Sequence, residues 1–420
     1  MAFLSLLDDR VKPKGSRDPL GFELIWSKLG RKIIGNLTTI TSSSENFATA
    51  LLGFSLANEI VGNDLIKDRS KAVKDVFLRF EQIAAYMRKH KKSKSVMGVN
   101  RVSKRLEDNG ITEIQLGNSA GAQILSNQSS YGLWGLYSTA MRDTGLVAGE
   151  ARILTDSGRI LVNMIEAKID KSSFIKLIEA KEISKANINK YADSIYCAIN
   201  NDAVQKKLLE ALLEGSSGEK ENLQKELWGN TLALISTKNK STDNNKRGSV
   251  AAFINQLAST DNLSTQLQTA LQNIQSVERL LVTMNNIFHF CRMNNGKTIE
   301  SVALLIEQQG YNFDSLDENI EGVQIPHKTI TLQPIKQLKN KDIKGAIRSI
   351  LALNKEIMKK RGGAAWITEE KGVLDVVVKS ESASLLTDEK LHTIWHYDYF
   401  FRSYLSIAKK YATNHYNKEG

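Results

Sequence analysis

Residues 70–106 read SKAVKDVFLRFEQIAAYMRKHKKSKSVMGVNRVSKRL, and this stretch constrains the expected fold more than any other. In its first half, apolar side chains recur every three or four positions, the spacing of one helix face: Val73, Phe77, Phe80, Ala84 and Met87. A basic segment follows, and a second pattern predicts a short helix between Val96 and Leu106, with Val96, Val99, Val102 and Leu106 packing inward. Asn109-Gly110 then forms a helix stop. The stretch therefore predicts two helices joined by a basic turn.

The residues that follow predict small β-hairpins. Residues 111–116 and 122–125 alternate between apolar and polar side chains around a Gly/Ser/Asn turn, the pattern of a hairpin. A helix over 130–144, a short strand over 151–154 and a helix over 157–167 come next. Two helices followed by a hairpin is the element order of a winged helix.

The phrase GLVAGEARILTDSGRILVNMIE, residues 145–166, resembles the end of many winged-helix domains. In those domains a helix ends in Gly-Leu-Val, a short strand carries Leu-Thr, and Gly-Arg opens the last helix. Together with the preceding helix-turn-helix order, the resemblance covers roughly residues 70–167, and it identifies no family for the whole chain. It implies a DNA-binding fold, or the same fold reused for protein contacts.

The rest of the chain predicts further helices. Residues 173–235, 263–293 and 342–360 carry helical patterns, 323–332 reads as extended, 365–378 as a hairpin, and 388–411 as one aromatic-rich helix. We expect a mainly α protein with small β-hairpins, in which a winged-helix-like N-terminal region precedes a helical C-terminal region. The expected segments are an N-terminal helical segment (1–69), a winged-helix-like region (70–170), a helical segment (171–235), a linker or mobile loop (236–249) and a helical C-terminal domain with a late hairpin (250–420).

Composition indicates a globular protein with excess positive charge. Lys and Arg number 57 against 46 Asp and Glu, a formal net charge of +11, with 41% hydrophobic residues. The two cysteines are too few for a four-cysteine zinc site and predict free thiols in a reducing compartment. No stretch reaches the ~18 apolar residues of a membrane span. We expect a cytoplasmic protein with no cofactor, no metal and no membrane partner.

The positive charge is concentrated in and before the second predicted helix. Eight cations occur from Arg88 to Arg105, with no acidic residue between Gln82 and Leu106. Cations that neutralise phosphates release condensed counterions, so the run predicts binding to nucleic acid, expected to be duplex DNA, with the short helix as recognition helix. A protein partner or a solvated helix end would use the same charges. The predicted contact residues are Arg88, Lys89, Lys91, Lys92, Lys94, Asn100, Arg101, Lys104, Arg105 and, at the wing, Arg152 and Arg159.

Catalytic templates are matched only in part. His392 and His396 would share one helix face, the spacing of two metal ligands, but Thr393 stands where the zincin pattern needs glutamate. Asp375 with Glu369 or Glu370 suggests a nuclease-like acidic pair that no lysine at strand spacing completes. No P-loop motif occurs. We therefore predict no catalytic residues.

Three functions remain open. The first is a non-enzymatic, DNA-binding component of a multi-protein microbial system, such as antiphage defence. Abundant Lys, Asn and Ile suit an AT-rich microbial genome, whereas antiphage defence is a guess about context and not an inference from residues. The second is a scaffold subunit that uses winged-helix folds for protein assembly. The third is a metal-dependent hydrolase or nuclease. The expected partners are nucleic acid and further protein subunits.

Overall fold

The computed structural model describes residues 18–62, 68–215, 222–238, 250–317, 328–380 and 384–416. In chain order the helices are α1 (Glu23–Ile33), α2 (Ser44–Val61), α3 (Arg69–His90), α4 (Val99–Glu107), α5 (Gln128–Tyr131), α6 (Leu133–Asp143), α7 (Asp156–Glu166), α8 (Lys171–Glu179), α9 (Lys185–Ile199), α10 (Asp202–Glu214), α11 (Leu223–Lys238), α12 (Val250–Ala258), α13 (Thr265–Met293), α14 (Ile299–Glu307), α15 (Lys328–Lys339), α16 (Ile343–Lys360), α17 (Asp388–Thr393) and α18 (Phe401–Tyr416). The strands are β1 (Glu113–Gln115), β2 (Val147–Ala148), β3 (Ile153–Leu154), β4 (Glu182–Ser184), β5 (Ile367–Glu370) and β6 (Val373–Val376). The predicted mainly α fold with small β-hairpins is confirmed.

The chain divides into two compact units, each built from two separate stretches. Unit 1 comprises Met1–Ile33 and Asp243–Tyr399, and unit 2 comprises Ile34–Thr242 and Phe400–Gly420. These bounds differ from the five segments expected from the sequence, because the N-terminal segment divides after Ile33 and α18 belongs to unit 2. One division falls within the predicted linker, of which residues 236–238 end α11 and residues 239–249 lie outside the described part of the chain.

Helix α2 is the centre of unit 2. Between Glu45 and Glu59 it carries no charged residue, and a helix that is apolar on every side is expected to be buried on every side. It packs against α3, α6, α7 and α10. Ser43 caps its first turn by accepting from the backbone N–H of Asn46. At Gly53 the packing is so close that a Cβ would lie 2.5 Å from Cδ1 of Phe80.

A buried polar network joins α3 to the segment that leads into α6. The carboxylate of Glu81 accepts from the backbone N–H of Leu133 (2.6 Å) and from Nε2 of Gln128 (2.8 Å). Beside it, the Gln82 amide donates to Oε1 of Gln128 (2.9 Å) and exchanges two hydrogen bonds with the backbone of Gly117. All three side chains are buried. The network therefore fixes the course of residues 117–133 along α3.

The hairpin expected from residues 111–125 is absent from the described residues. Strand β1 pairs instead with β4, with Ile114 opposite Ile183, while residues 122–125 form no strand. The alternation was informative about burial, since Ile114, Ala122 and Ile124 are all buried. It was wrong about which strand pairs with β1. The side chain of Gln82 forms two hydrogen bonds with the backbone of Gly117, and the chain then runs along α3.

Two other hairpins form, one over the predicted hairpin 365–378 and one in which the predicted strand over 151–154 pairs with residues 147–148. Strands β2 and β3 pair with Val147 opposite Leu154. Strands β5 and β6 pair with Glu370 opposite Val373. The second turn has positive φ at both Lys371 (52°) and Gly372 (79°), as a two-residue turn of this kind requires.

Unit 1 is organised around the 29-residue helix α13, which contacts α1, α12, α15, α16 and α17. Residues 323–332 were expected to be extended. Residues 328–332 begin α15 instead, and residues 323–327 lie outside the described chain. The alternating β-branched residues favoured a strand, yet Leu332, Ile335 and Leu338 are buried at helical spacing against α16 and α13.

The single aromatic-rich helix expected over 388–411 is two helices. Helix α17 ends at Thr393, and α18 begins at Phe401. Between them, the backbone N–H groups of His396 and Tyr397 donate to Oε1 of Glu278 on α13, and Tyr399 has a positive φ of 48°. Backbone donors used in this way cannot serve a helix. The prediction failed because the competing acceptor lies more than a hundred residues away.

We expect Gly53→Ala to destabilise unit 2, because the added methyl group would overlap the rings of Phe77 and Phe80. Overpacking of this kind costs about 1–3 kcal/mol. Gly229→Ala on α11 is the matched control, since Gly229 has open space around its Cα and the change improves helix propensity by about 1 kcal/mol. Urea unfolding followed by circular dichroism measures both. Equal effects from the two substitutions would contradict the packing at Gly53.

A second expectation concerns pH. Burial raises the pKa of Glu81 to about 7, although its hydrogen bonds and the charge of Arg88 oppose the rise. Since the folded-state pKa lies above the usual value of 4.5, the stability that this group contributes is present below pH 4.5 and is lost as the pH rises through 7. We expect the free energy of unfolding to fall by about 3 kcal/mol across this window from this group.

Glu81→Gln should flatten that pH dependence, while leaving one N–H facing another donor and so lowering stability throughout. Glu107→Gln, at an exposed position on α4, should leave the slope unchanged. Urea titrations between pH 4.5 and 8 measure the slopes. Part of the slope should remain, because burial also raises the pKa of Glu278 to about 7. A slope that is unchanged in Glu81→Gln would show that Glu81 contributes none of it.

Candidate nucleic-acid interface

The basic run spans the end of α3, the loop of residues 91–98, and α4. The structure separates its cations into two kinds. Arg88, Lys91 and Arg105 are engaged by other parts of unit 2, whereas Lys92, Lys94, Arg101 and Lys104 are exposed, with one long bond of 3.4 Å from Arg101 to the carbonyl oxygen of Gln123. Lys89 is half-buried. The run is therefore not a uniform surface.

Arg88 is buried, with 2% of its surface exposed, and is therefore not available for the predicted contact. Its Nη2 donates to Oε2 of Glu45 (3.2 Å) and to Oγ of Ser95 (2.8 Å). The hydroxyls of Ser93 and Ser95 donate to the same Glu45 oxygen. Burial alone would raise the pKa of Glu45, but the hydrogen bond from Ser93 and the charge of Arg88 hold it below its usual value. This cluster fixes the loop to α2.

Arg105 holds α4 itself in place, as Arg88 holds the loop before it. Its guanidinium donates to Oη of Tyr86 (2.7 Å) and to the carbonyl oxygens of Ala122 (2.9 Å) and Gln123 (3.0 Å). It is half-buried, and these bonds orient α4 rather than face solvent. Lys91 pairs with Asp193 of α9 at 2.5 Å. The acid-free stretch of sequence thus acquires acidic partners from α2 and α9.

The exposed members of the run, which we call the α4 basic face, are Lys92, Lys94, Asn100, Arg101 and Lys104. Within α4 only Val102 is buried, so most of this helix faces outward. Val96 is buried as predicted, but Val99 is 41% exposed, so the prediction that Val99 packs inward is wrong. Gly98 precedes the helix in the left-handed conformation, and no side chain caps the first turn. The positive end of the helix dipole therefore adds to the charge of this face.

The predicted wing residues already have partners. The guanidinium of Arg152 stacks over the ring of Trp134 at 4.8 Å and also donates to the carbonyl oxygen of Gly149. Burial lowers the pKa of Arg152, and the neighbouring charge of Arg142 lowers it further. Arg159 is exposed but donates to Oδ1 of Asp156 at 2.7 Å. These arginines stabilise the hairpin and the start of α7.

The wing arginines and the α4 basic face lie near opposite ends of α2. At one end, Nδ2 of Asn46 is 3.9 Å from Sδ of Met97, just before α4. At the other, Nδ2 of Asn58 donates to the carbonyl oxygens of Ala151 and Arg152. Residues 46 and 58 are separated by about 18 Å along a helix. The eleven predicted residues therefore do not form one patch.

The geometry removes the basis of the metal-pair hypothesis. His392 lies on α17, 3.7 Å from Oδ2 of Asp388, while His396 lies in the non-helical segment after it. Glu369 of the late hairpin makes a bidentate pair with Arg348, both bonds at 2.9 Å. Within the described ranges, no group of three or more His, Cys, Asp or Glu side chains is placed to hold a metal ion.

None of the helices in the described part of the chain has the length and apolar character needed to cross a membrane. Comparison with protein-family models, curated proteins and solved structures finds no match to this chain. The winged-helix resemblance thus remains a prediction.

We expect Arg88→Ala to destabilise unit 2 by about 3 kcal/mol, because it leaves the Glu45 carboxylate without its buried cation. Lys94→Ala, an exposed position in the same run, should change stability by no more than about 0.5 kcal/mol. Thermal and urea unfolding measure both variants. If the two substitutions cost the same, Arg88 does not anchor the loop.

Proposed function

We propose that unit 2 binds the phosphate backbone of duplex DNA through the α4 basic face, as a non-enzymatic subunit of a cytoplasmic multi-protein system. One observation carries this proposal: four exposed cations and one exposed amide are presented together by a loop and a helix that two engaged arginines hold in place. A surface of this kind suits a polyanion, because each phosphate that it neutralises releases condensed counterions.

Preorganisation supports the proposal. Long, flexible lysine and arginine side chains lose conformational entropy when they bind, so a rigid backbone beneath them limits the cost of association. Arg88 fixes the loop through Glu45, and Arg105 fixes α4 through the carbonyl oxygens of residues 121–123. The acidic partners from α2 and α9, Glu45 and Asp193, pair with Arg88 and Lys91. These two cations belong to the basic run but not to the α4 basic face.

The chemistry of the face favours phosphate contact over base recognition. Four of its five members are cations, whereas Asn100 is the one side chain of the face that combines a donor and an acceptor for a base edge. The wing arginines are engaged within the protein and add little to the interface. We therefore expect binding with weak sequence preference and strong salt dependence.

A second candidate function is protein assembly through the hairpin. Ile153 on β3 and Ile160 on α7 are 48% and 52% exposed. Arg159 precedes Ile160 in the chain and donates to the carbonyl oxygen of Leu154, the residue after Ile153. Apolar side chains next to an arginine are typical of protein contact surfaces. Ile153→Asp with Ile160→Asp would disrupt partner binding in a pull-down and leave DNA binding intact.

The proposed function predicts a specific change in salt dependence. We expect the variant K92A/K94A/R101A/K104A to bind duplex DNA more weakly and to lose about 3–4 units from the slope of log K against log [salt]. The control K168A/K181A/K206A/K207A removes four exposed positive charges elsewhere in unit 2 and should keep most of that slope. Fluorescence anisotropy between about 50 and 200 mM salt measures both.

Two outcomes would overturn the proposal. The first is that the unaltered protein shows no binding at about 50 mM salt. The second is that the control loses as much slope as the α4 variant, because binding would then follow net charge and not this face. Circular dichroism confirms that each variant is folded.

A further inference from the structure

Unit 1 contains a cavity of about 270 Å³ that no sequence motif predicts. Three of its lining residues, Asn285, His289 and Arg292, come from α13, and Trp366 comes from just before β5. His396 and Tyr397 come from the segment between α17 and α18. The cavity is separate from the α4 basic face, which belongs to unit 2.

Together with Glu278, the three cavity residues from α13 form a polar stripe on a mostly buried helix. Glu278, Asn285, His289 and Arg292 are spaced seven, four and three residues apart, so they share one face. Burying polar side chains along a core helix is costly unless each finds a partner. Each of these side chains has a hydrogen-bond partner, and the partner determines which of its polar atoms can still bind a ligand in the cavity.

The hydrogen bonding of His289 fixes its tautomer. Nη1 of Arg292 lies 3.0 Å from Nδ1 of His289, and a guanidinium only donates, so Nδ1 accepts. Burial lowers the pKa of His289, and the charge of Arg292 lowers it further. The neutral ring therefore carries its proton on Nε2, which is a donor. This tautomer also disfavours metal binding at Nε2.

Tyr397 is left as a donor in the same way. The Asn285 amide donates to its hydroxyl oxygen at 2.8 Å, which directs the hydroxyl hydrogen elsewhere. Burial raises the pKa of Tyr397, so the hydroxyl stays protonated at neutral pH. The cavity is thus lined by a phenol and an imidazole that both donate.

Glu278 holds the segment that carries His396 and Tyr397. Its Oε1 accepts from the backbone N–H groups of both residues, and its Oε2 accepts from Oη of Tyr399 at 2.8 Å. Tyr399 adopts a positive φ of 48°, a conformation that costs energy for a residue with a side chain. The His396 side chain is exposed, and its ring makes no hydrogen bond with any described residue.

The residues that line the cavity include one cationic side chain, Arg292, and one carboxylate. Its one acidic residue is Asp18, whose carboxylate accepts from the backbone N–H groups of Phe22 and Glu23 and pairs with Arg361 at 3.2 Å. Arg292 stacks over Trp366 at 4.8 Å and donates to the carbonyl oxygens of Val378 and Lys379, which keeps its charge at the cavity wall.

We propose that this cavity binds a small oxyanion, the phosphate or carboxylate group of a metabolite. Neutral donors from His289 and Tyr397, the free ring of His396 and the guanidinium of Arg292 surround a space lined on one side by Trp366. Donors beside a fixed cation recognise oxygen acceptors that carry negative charge. The volume accommodates the oxyanion together with a few further atoms of the ligand.

Isothermal titration calorimetry of the full chain with inorganic phosphate, and separately with acetate, tests the proposal at constant ionic strength. We expect saturable binding of at least one of the two anions, and the tighter one identifies the ligand group. His396→Ala and Tyr397→Phe should each weaken that binding about tenfold, since each removes a hydrogen-bond partner of a charged ligand. His392→Ala, on α17 in the same unit, should bind as the unaltered protein does.

Absence of saturable binding to both anions would overturn the proposal. Binding that survives in His396→Ala and Tyr397→Phe, or that His392→Ala weakens equally, would also overturn it, because the anion would then bind elsewhere. His396→Ala alters an exposed side chain, so it reports even if Tyr397→Phe perturbs folding. DNA binding by the α4 basic face is a separate measurement, and neither result depends on the other.

Discussion

One carboxylate oxygen, Oε2 of Glu45, accepts hydrogen bonds from Arg88, Ser93 and Ser95. A buried arginine is tolerated when its charge is paired, and Glu45 pairs that of Arg88, although Nε of Arg88 has no hydrogen-bond partner among the described residues. This cluster therefore ties the loop after α3 to the central helix α2, and it determines where α4 begins. The buried cation Arg88 thus positions the loop and helix that carry the exposed cations of the proposed DNA contact.

A buried carboxylate also holds the chain at two other places where it leaves regular structure. Glu81 accepts from the Gln128 side chain and from the backbone of Leu133, and Glu278 accepts from the backbone of His396 and Tyr397. Burial raises the pKa of Glu81 and of Glu278 to about 7. Each carboxylate satisfies backbone or side-chain donors that no helix or sheet serves, at the cost of a pH-dependent contribution to stability.

Local chemistry made part of the fold predictable. The stripe in residues 70–89 predicts α3, the hairpin β5–β6 lies at its predicted position, and β3 lies within the predicted strand over 151–154, because period and turn chemistry act over a few residues. The alternation around residue 114 identified a buried face but not its partner, since β4 lies some seventy residues away. The prediction of one helix over 388–411 was wrong for a similar reason, because backbone N–H groups within that range donate to Glu278 and not to helix carbonyl oxygens.

For the candidate interface, the order of residues alone shows that positive charge is concentrated between residues 88 and 105 and predicts that a short helix carries part of it. Which of those charges are available depends on the folded chain. Arg88 meets Glu45, 43 residues before it, and Lys91 meets Asp193, about a hundred residues after it. The cavity in unit 1 depends still more on tertiary contacts, because it joins α13 to segments distant in sequence. Periodicity records which face of an element is buried, whereas the pairing of charges and donors depends on contacts that only the folded chain creates.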